Sequence, residues 1–433
     1  MATVSRFPKS RQIAVIPERV FDPINGWTLV VQRETLRQLQ KSGCDPTIIP
    51  LQTRDDGIDI GVLSYIRATF DDIHAPASLS TRLRDPRLAR AAAAHVERRR
   101  NVGKEDFYRR VLVAPDLKNG LIRLSQRFAT ALRYGSHVIP VLLADEHEVE
   151  SRADVTDATG IFLPGSDSDY HPEHYSRTST KIEDQHDPKR DRLVRTLVQK
   201  AYADDIPLFG ICSGIQGLAV FGKHKYKLHQ NLSSLRRSHH FHNDEHQKRE
   251  NFHATHIETI DRFHLNRAGA QVKAKRYAAA HNVTFSKGTF IAGLLGNQGT
   301  DYTVAVNSSH RQAIDEDSVN PGQVSIEGVA PDGTIEALHD RSGRFFLGVQ
   351  FHPEALFLKN VDQHPLERKL YRRLFWAFEL AVEGWSWRDI IHPRAATGNW
   401  RNRGMARVYM TAPGSIQQTP EFVTGLRENV LIP

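Results

Sequence analysis

Short apolar runs alternate with stretches of helical spacing along much of this chain, and this alternation limits its fold more than any other feature. Buried strands are predicted at 12–16, 45–51, 111–115, 137–143, 160–165, 206–211, 303–307, 323–331, 334–340 and 345–351. Helices are predicted at 27–43, 121–135, 192–203, 213–222 and 367–384. Strands that alternate with helices are typical of a parallel sheet with helices on both faces. The sequence therefore predicts an α/β fold with a doubly wound, mostly parallel sheet flanked by helices.

The chain is longer than one average domain, at 433 residues. Its segment 82–100 is rich in Arg and Ala, which predicts an exposed basic helix with a solvated face rather than a nucleic-acid arm. We predict three parts. Residues 1–107 form an N-terminal extension or an additional βα unit that includes the basic helix, 108–391 form the catalytic domain, and 392–433 form a C-terminal tail.

Composition and charge exclude several classes of protein. Hydrophobic residues make up 39% and charged residues 25% of the chain, as in a globular protein. No stretch approaches the roughly 20 apolar residues that a membrane helix needs, and the N-terminus lacks the apolar core of a secretory signal. The net charge is +8, but no nucleic-acid-binding signature accompanies it. With only two cysteines, the chain is predicted to be cytoplasmic, without a membrane or nucleic-acid partner.

Cys212 lies between a predicted strand and a predicted helix, with Gly210 and Gly214 two residues away on either side. A nucleophile on a sharp strand-to-helix turn needs neighbours without bulk, and glycine meets that need. The N-terminus of the following helix would favour the thiolate, and the backbone N–H of Ser213 would point at a developing oxyanion. On this motif alone, an ordinary buried cysteine is an equally good interpretation.

Two further segments, each after a predicted strand, supply the partners that a cysteine nucleophile needs. His352 can serve as general base, and Glu354 can orient its imidazole and stabilise the cationic form. A turn at Gly165 and Ser166 can present a second oxyanion N–H. Each segment alone is also compatible with an ordinary turn. Together they predict a catalytic triad of Cys212, His352 and Glu354.

These segments, in their order along the chain, resemble the class I glutamine amidotransferase-like group, and within it most closely the gamma-glutamyl-gamma-aminobutyrate hydrolase family. The resemblance covers roughly residues 108–385 and includes, in chain order, IFLPGSDSDYHPEHYS, GICSGIQ, KLHQNL, HATHIETI, AVNSSHRQAI, APDGTIEAL and GVQFHPE. It implies the flavodoxin-type architecture of that group, with the nucleophile at the carboxyl end of a central strand.

The resemblance also implies an activity, the hydrolysis of γ-glutamyl amide bonds. Cys212 would form a glutamyl thioester, and water would release glutamate. Gln216 matches a position that contacts the glutamyl substrate. Ser308, Ser309 and His310 match a segment near the substrate's α-amino and α-carboxyl groups. The expected partner is a small γ-glutamyl compound, and no cofactor is expected.

Two other functions stay open at this point. One is a glutaminase subunit that delivers ammonia to a separate synthase, and the other is a non-catalytic binding protein on the same fold. The chain has no phosphate loop or dinucleotide fingerprint, so no synthetase domain is recognisable in it. Whether the protein forms a homo-oligomer is also left open.

A histidine-rich stretch is the one segment that suggests a metal. His239, His240, His242 and His246 lie close to Asp244 and Glu245, and zinc sites use such side chains. No pair of cysteines accompanies them, and the surrounding sequence is polar. We therefore predict a solvated or substrate-gating loop there and no metal site.

Overall fold

The computed structural model of the chain describes residues 10–392 except 23–25, 52, 55–56, 101–108, 153–156, 176–185, 230–276, 278, 297–298, 311 and 358–362. Its strands are β1 Arg11–Val15, β2 Glu18–Asp22, β3 Gly26–Gln32, β4 Cys44–Ile48, β5 Thr53–Arg54, β6 Gly57–Ile58, β7 Asp72–His74, β8 Arg110–Val113, β9 Leu121–Ser125, β10 Ile139–Leu142, β11 Gly160–Leu163, β12 Leu208–Ile211, β13 Leu228–His229, β14 His281–Phe285, β15 Tyr302–Val306, β16 Ala313–Ile314, β17 Ser325–Val329, β18 Ile335–Asp340 and β19 Phe346–Val349. Its α-helices are α1 Arg33–Lys41, α2 Ile60–Thr69, α3 Ala77–Leu83, α4 Pro86–Arg100, α5 Gln126–Gly135, α6 Glu148–Ser151, α7 Pro188–Asp204, α8 Ser213–Phe221, α9 Phe290–Leu295, α10 Pro365–Val382 and α11 Trp387–Ile391.

Twelve of these strands form one sheet in the order β15-β14-β17-β18-β19-β12-β11-β8-β10-β4-β1-β7. The block from β19 to β10 is parallel throughout. Its strands are buried on both faces, which explains their continuous apolar runs. Beyond β19, the strands β18, β17, β14 and β15 extend the sheet in antiparallel pairs. The predicted α/β fold with a large, mostly parallel sheet flanked by helices is confirmed.

The N-terminal part of the chain joins this same sheet. Strand β1 pairs in parallel with β4 and β7, and β4 meets β10 antiparallel where Ile48 lies opposite Leu142. Both early strand–helix units therefore contribute to one sheet. The predicted basic helix forms as α4 and packs against α2. The boundaries at 107 and 391 stay predictions.

Two segments that the sequence predicts as helical begin as strands. Residues 26–32 form β3 and residues 121–125 form β9, and the two pair antiparallel in a separate sheet with β2. Alternate residues of each segment are buried, Leu29 and Val31 in β3 and Ile122 and Leu124 in β9. A period of two is that of a strand. The prediction of helices over 27–43 and 121–135 was thus wrong for about the first third of each, and α1 and α5 begin only afterwards.

Aromatic side chains hold helix α10 against the central strands. The ring of Phe209 on β12 lies 5.9 Å from that of Phe162 on β11, and 5.7 Å from the rings of Phe375 and Phe378 on α10. Such ring pairs add to the free energy that burial alone provides.

Within the described residues, no helix has the length and apolarity that crossing a membrane requires.

Deletion of residues 1–107 tests how far the N-terminal part is a separate unit. We expect the remaining fragment to lose cooperative thermal unfolding, because the deletion strips β3 from β9 and leaves an open edge. It also removes core side chains such as Ile13, Val31 and Ile48. Circular dichroism melting and size-exclusion chromatography against the full chain measure this. A fragment that melts cooperatively at the temperature of the full chain would contradict the expectation.

Candidate active site

Three neighbouring parallel strands bring the predicted site residues to one edge of the sheet. Strand β11 leads into Gly165, β12 into Cys212 and β19 into His352, and β12 lies between the other two. The carboxyl ends of parallel strands meet at one edge, where open α/β sheets place their sites. The three motifs are far apart in the sequence but lie close together in the fold.

Cys212 occupies a sharp turn between β12 and α8, and its backbone is strained. Its φ is 55° and its ψ −111°, a left-handed conformation that non-glycine residues rarely adopt and that clusters at active sites. Close packing holds it there. A Cβ on Gly210 would lie 2.6 Å from the carbonyl carbon of Gly214, and a Cβ on Gly214 would overlap the carbonyl oxygen of Leu163. This is the geometry of a nucleophile elbow.

The three predicted triad residues lie together and are buried, with exposures of 4% for Cys212, 3% for His352 and 0% for Glu354. The imidazole Nδ1 of His352 lies 2.8 Å from Oε1 of Glu354. A Cβ on Gly165 would lie 3.0 Å from Cε1 of His352 and 3.2 Å from Cβ of Cys212. Both Cys212 and the His352 imidazole therefore lie close to Gly165. Because Nδ1 contacts Glu354, Nε2 is the ring nitrogen left to exchange a proton with Sγ.

The electrostatics of the site favour an ion pair between thiolate and imidazolium. Burial raises the pKa of the Cys212 thiol, but the charge of His352, its hydrogen bond to the thiol and the charge of His310 together lower it by more, so the net shift is downward. Burial lowers the pKa of His352, but the charges of Glu354 and of the Cys212 thiolate raise it well above its usual range. Burial raises the pKa of Glu354, and His352 and Arg127 together bring it below its usual value. Both shifts favour the charged forms, a thiolate on Cys212 and an imidazolium on His352.

The three residues predicted to form an oxyanion hole, Ser213, Gly165 and Ser166, all lie near Cys212, but each has different neighbours. Ser213 begins α8, where the first backbone N–H groups have no acceptor within the helix, and its hydroxyl donates to the carbonyl of Pro164 at 3.4 Å. Gly165 lies directly beside the thiol. The hydroxyl of Ser166, in contrast, donates to Oδ1 of Asp116 at 2.5 Å.

Three of the predicted substrate-binding residues, Gln216, Ser309 and His310, contact Cys212 or the carbonyl of Gln312. The amide of Gln216 donates to the carbonyl of Gln312 at 2.7 Å, and the thiol of Cys212 contacts the carbonyl of Ser309 at 3.8 Å. Ser308 is buried beside it. The Nε2 of His310 lies 3.6 Å from Glu336. Burial lowers the pKa of His310, but Glu336, Cys212 and the backbone of Gln312 together raise it by more.

Two residues of the site had not been predicted. Asn307 holds the backbone of His352 from both sides, because its Oδ1 accepts from the His352 N–H at 2.8 Å and its Nδ2 donates to the His352 carbonyl at 2.9 Å. Arg127, in the first turn of α5, donates from Nε to Oε1 of Glu354 at 2.9 Å. Asn307 lies within the AVNSSHRQAI segment and could have been found there, whereas nothing in the sequence marks Arg127.

No group of three or more His, Cys, Asp or Glu side chains could hold a metal ion in the part of the chain that the structure describes. The histidine-rich cluster at 239–246 lies outside the described residues. The same holds for the HATHIETI segment at 253–260, so the predictions for both stay predictions.

Comparison with known proteins confirms the resemblance to the class I glutamine amidotransferase-like superfamily. The chain belongs to the Peptidase C26 family, whose model matches residues 119–354. The matched range includes all the predicted site residues.

Named relatives agree with this family assignment. A gamma-glutamyl-gamma-aminobutyrate hydrolase of Escherichia coli O157:H7 is 30% identical over 212 residues, which cover 49% of this chain and 68% of that protein. A glutamine amidotransferase-like protein of Rickettsia prowazekii is 28% identical over 52% of this chain and 80% of its own length. A solved glutamine amidotransferase of Thermotoga maritima aligns at 14% identity with a TM-score of 0.36, over 64% of this chain and 99% of its own. The family and its sequence relatives indicate a hydrolase or glutamine amidotransferase-like enzyme.

Asn307→Ala tests how much the two hydrogen bonds between Asn307 and the backbone of His352 stabilise the protein. The variant leaves a buried N–H and a buried carbonyl without these partners, and each such loss costs about 1–3 kcal/mol. We expect the free energy of unfolding in urea to fall by about 2 kcal/mol or more. The control is Asn282→Ala, an exposed residue of β14, with an expected change within about 0.5 kcal/mol. Equal stability of the two variants would show that these two hydrogen bonds contribute nothing to the free energy of unfolding.

Proposed function

We propose that this chain is a cysteine hydrolase that cleaves a γ-glutamyl amide or peptide bond through a glutamyl thioester on Cys212. The observation that carries the proposal is the buried arrangement of Cys212, His352 and Glu354 at a strand-to-helix turn, with Gly165 beside the thiol. The relatives that are named gamma-glutamyl-gamma-aminobutyrate hydrolases support a γ-glutamyl substrate.

In the first half of the reaction, the Cys212 thiolate attacks the γ-carbonyl carbon. The carbonyl oxygen takes the negative charge, and the backbone N–H groups of Ser213 and Gly165 are suited to stabilise it. The proton on Nε2 of His352 passes to the departing nitrogen, the C–N bond breaks, and a free amine leaves. The products of this half are a glutamyl thioester on Cys212 and a neutral imidazole.

In the second half, water attacks the thioester carbonyl while Nε2 of His352 takes its proton. The C–S bond breaks, glutamate leaves, and the thiolate and the imidazolium are restored. Glu354 stays ionised throughout, because its part is to orient the imidazole and to balance its charge. Burial of all three side chains keeps bulk water away from the charges, which strengthens their interactions.

Cys212→Ala tests this proposal with a panel of γ-glutamyl amides and peptides that includes glutamine. We expect the parent protein to release glutamate from at least one member of the panel. In the variant, kcat is expected to fall about a thousandfold or more, because the thioester cannot form. Free glutamate is measured by a coupled dehydrogenase assay, and Cys44→Ser, which removes the only other thiol, is the matched control.

The panel also separates the proposal from its alternatives. Release from a γ-glutamyl compound other than glutamine supports a hydrolase that works alone. Cysteine-dependent release from glutamine alone would instead favour a glutaminase that delivers ammonia to a synthase partner. Turnover that persists in Cys212→Ala would rule out Cys212 as the nucleophile, and no turnover on the whole panel would favour a binding protein.

A further inference from the structure

Arg127 is buried beside the triad although its position in the fold does not favour a cation. Its side chain is only 9% exposed, and a buried charge is costly unless it is paired. It also lies in the first turn of α5, where the positive end of the helix dipole disfavours a cation. A residue with both disadvantages needs a compensating partner, and that partner is Glu354.

A single oxygen of the Glu354 carboxylate makes both of its side-chain hydrogen bonds. Its Oε1 lies 2.9 Å from Nε of Arg127 and 2.8 Å from Nδ1 of His352. Within the described part of the chain, Oε2 accepts no hydrogen bond. Without Arg127, the carboxylate would therefore be held at its imidazole contact alone and could rotate away from it.

Aromatic contacts keep the guanidinium in place. Its central carbon lies 4.8 Å from the centroid of the Tyr277 ring and 5.0 Å from that of Phe128. The Tyr277 ring in turn meets the His352 imidazole edge to face, with centroids 5.8 Å apart. Arg127 and His352 thus share two neighbours, Glu354 and Tyr277, so the arginine and the imidazole are packed as one unit.

We propose that Arg127 is a positioning residue of the triad, whose guanidinium anchors the Glu354 carboxylate so that Oε1 stays on Nδ1 of His352. This inference rests on the proposed function of the triad and adds a fourth member to it. Arg127 acts through Glu354 and His352 and has no contact with the thiol.

Other charged groups also act on this unit. Asp167, in the loop after β11, faces Arg127 and stabilises its charge. His310, after β15, lowers the pKa of the Cys212 thiol, and Glu336 on β18 holds His310. None of them contacts Oε1 of Glu354 among the described residues. A change to a neutral residue at Arg127 also removes the positive charge that Asp167 faces, whereas the pairing of His310 with Glu336 does not involve Arg127.

The test is the titration of the Cys212 thiol in a Cys44→Ser background, where it is the chain's only thiol. The rate of alkylation by iodoacetamide is measured against pH. In Arg127→Gln we expect the apparent pKa of the thiol to rise by roughly one unit, because a less constrained carboxylate supports the imidazolium less well and a nearby positive charge is lost. In the same variant we expect kcat to fall while KM changes little. Arg127→Lys, which keeps the charge but not the Nε contact, is expected to shift the titration upward by a smaller amount.

The matched control is Arg133→Gln, on the same helix. Arg133 forms an ion pair with Asp59 at 2.7 Å and is mostly buried, but it lies away from the triad. It is expected to leave the thiol titration unchanged. An unchanged titration in folded Arg127→Gln overturns the inference, as does an unchanged titration in Arg127→Lys if the glutamine variant does not fold. A shifted titration in a protein that cleaves no γ-glutamyl compound would uphold the inference and reject the proposed function.

Discussion

The close approach of backbone segments around α8 is the constraint on which the rest of the site depends. Gly214 lies so near Leu163 of β11 that a side chain there would overlap its carbonyl. On the other side, a Cβ on Gly348 of β19 would lie 2.5 Å from Cγ1 of Ile215. The helix therefore rests on strands on both sides of β12, and this contact holds Cys212 in its left-handed conformation. The same two strands lead into Gly165 and His352, so these two packing contacts help to set the positions of Gly165, Cys212 and His352.

Two buried arginines support the site. Arg127 pairs with Glu354. Arg190 donates to the carbonyl of Pro164 at 2.7 Å, which holds the loop before Gly165, and lies 3.6 Å from Asp116. Two arginines this deeply buried would be destabilising without their carboxylate and carbonyl partners. The charges of the thiolate and the imidazolium are thus enclosed by fixed partners rather than by water, which suits a reaction that moves charge without rearranging its surroundings.

The sequence predicted the parallel sheet and the grouping of Cys212, His352 and Glu354, because these depend on local patterns such as apolar runs and glycines beside a cysteine. It did not reveal β3 and β9, whose alternating burial shows only once each strand has its partner. It also did not reveal Arg127, because its pairing with Glu354 links residues 227 positions apart. The substrate contacts of Gln216, Ser308, Ser309 and His310 and the oxyanion role of Ser166 stay predictions.

The proposed glutamyl thioester on Cys212 can be observed directly. The protein is mixed with a cleavable γ-glutamyl substrate, quenched in acid within the first turnover, digested and analysed by mass spectrometry. We expect the peptide that contains Cys212 to gain the mass of one glutamyl group and to lose it on incubation at neutral pH. Glutamate release without that adduct, or an adduct on another residue, would contradict this expectation.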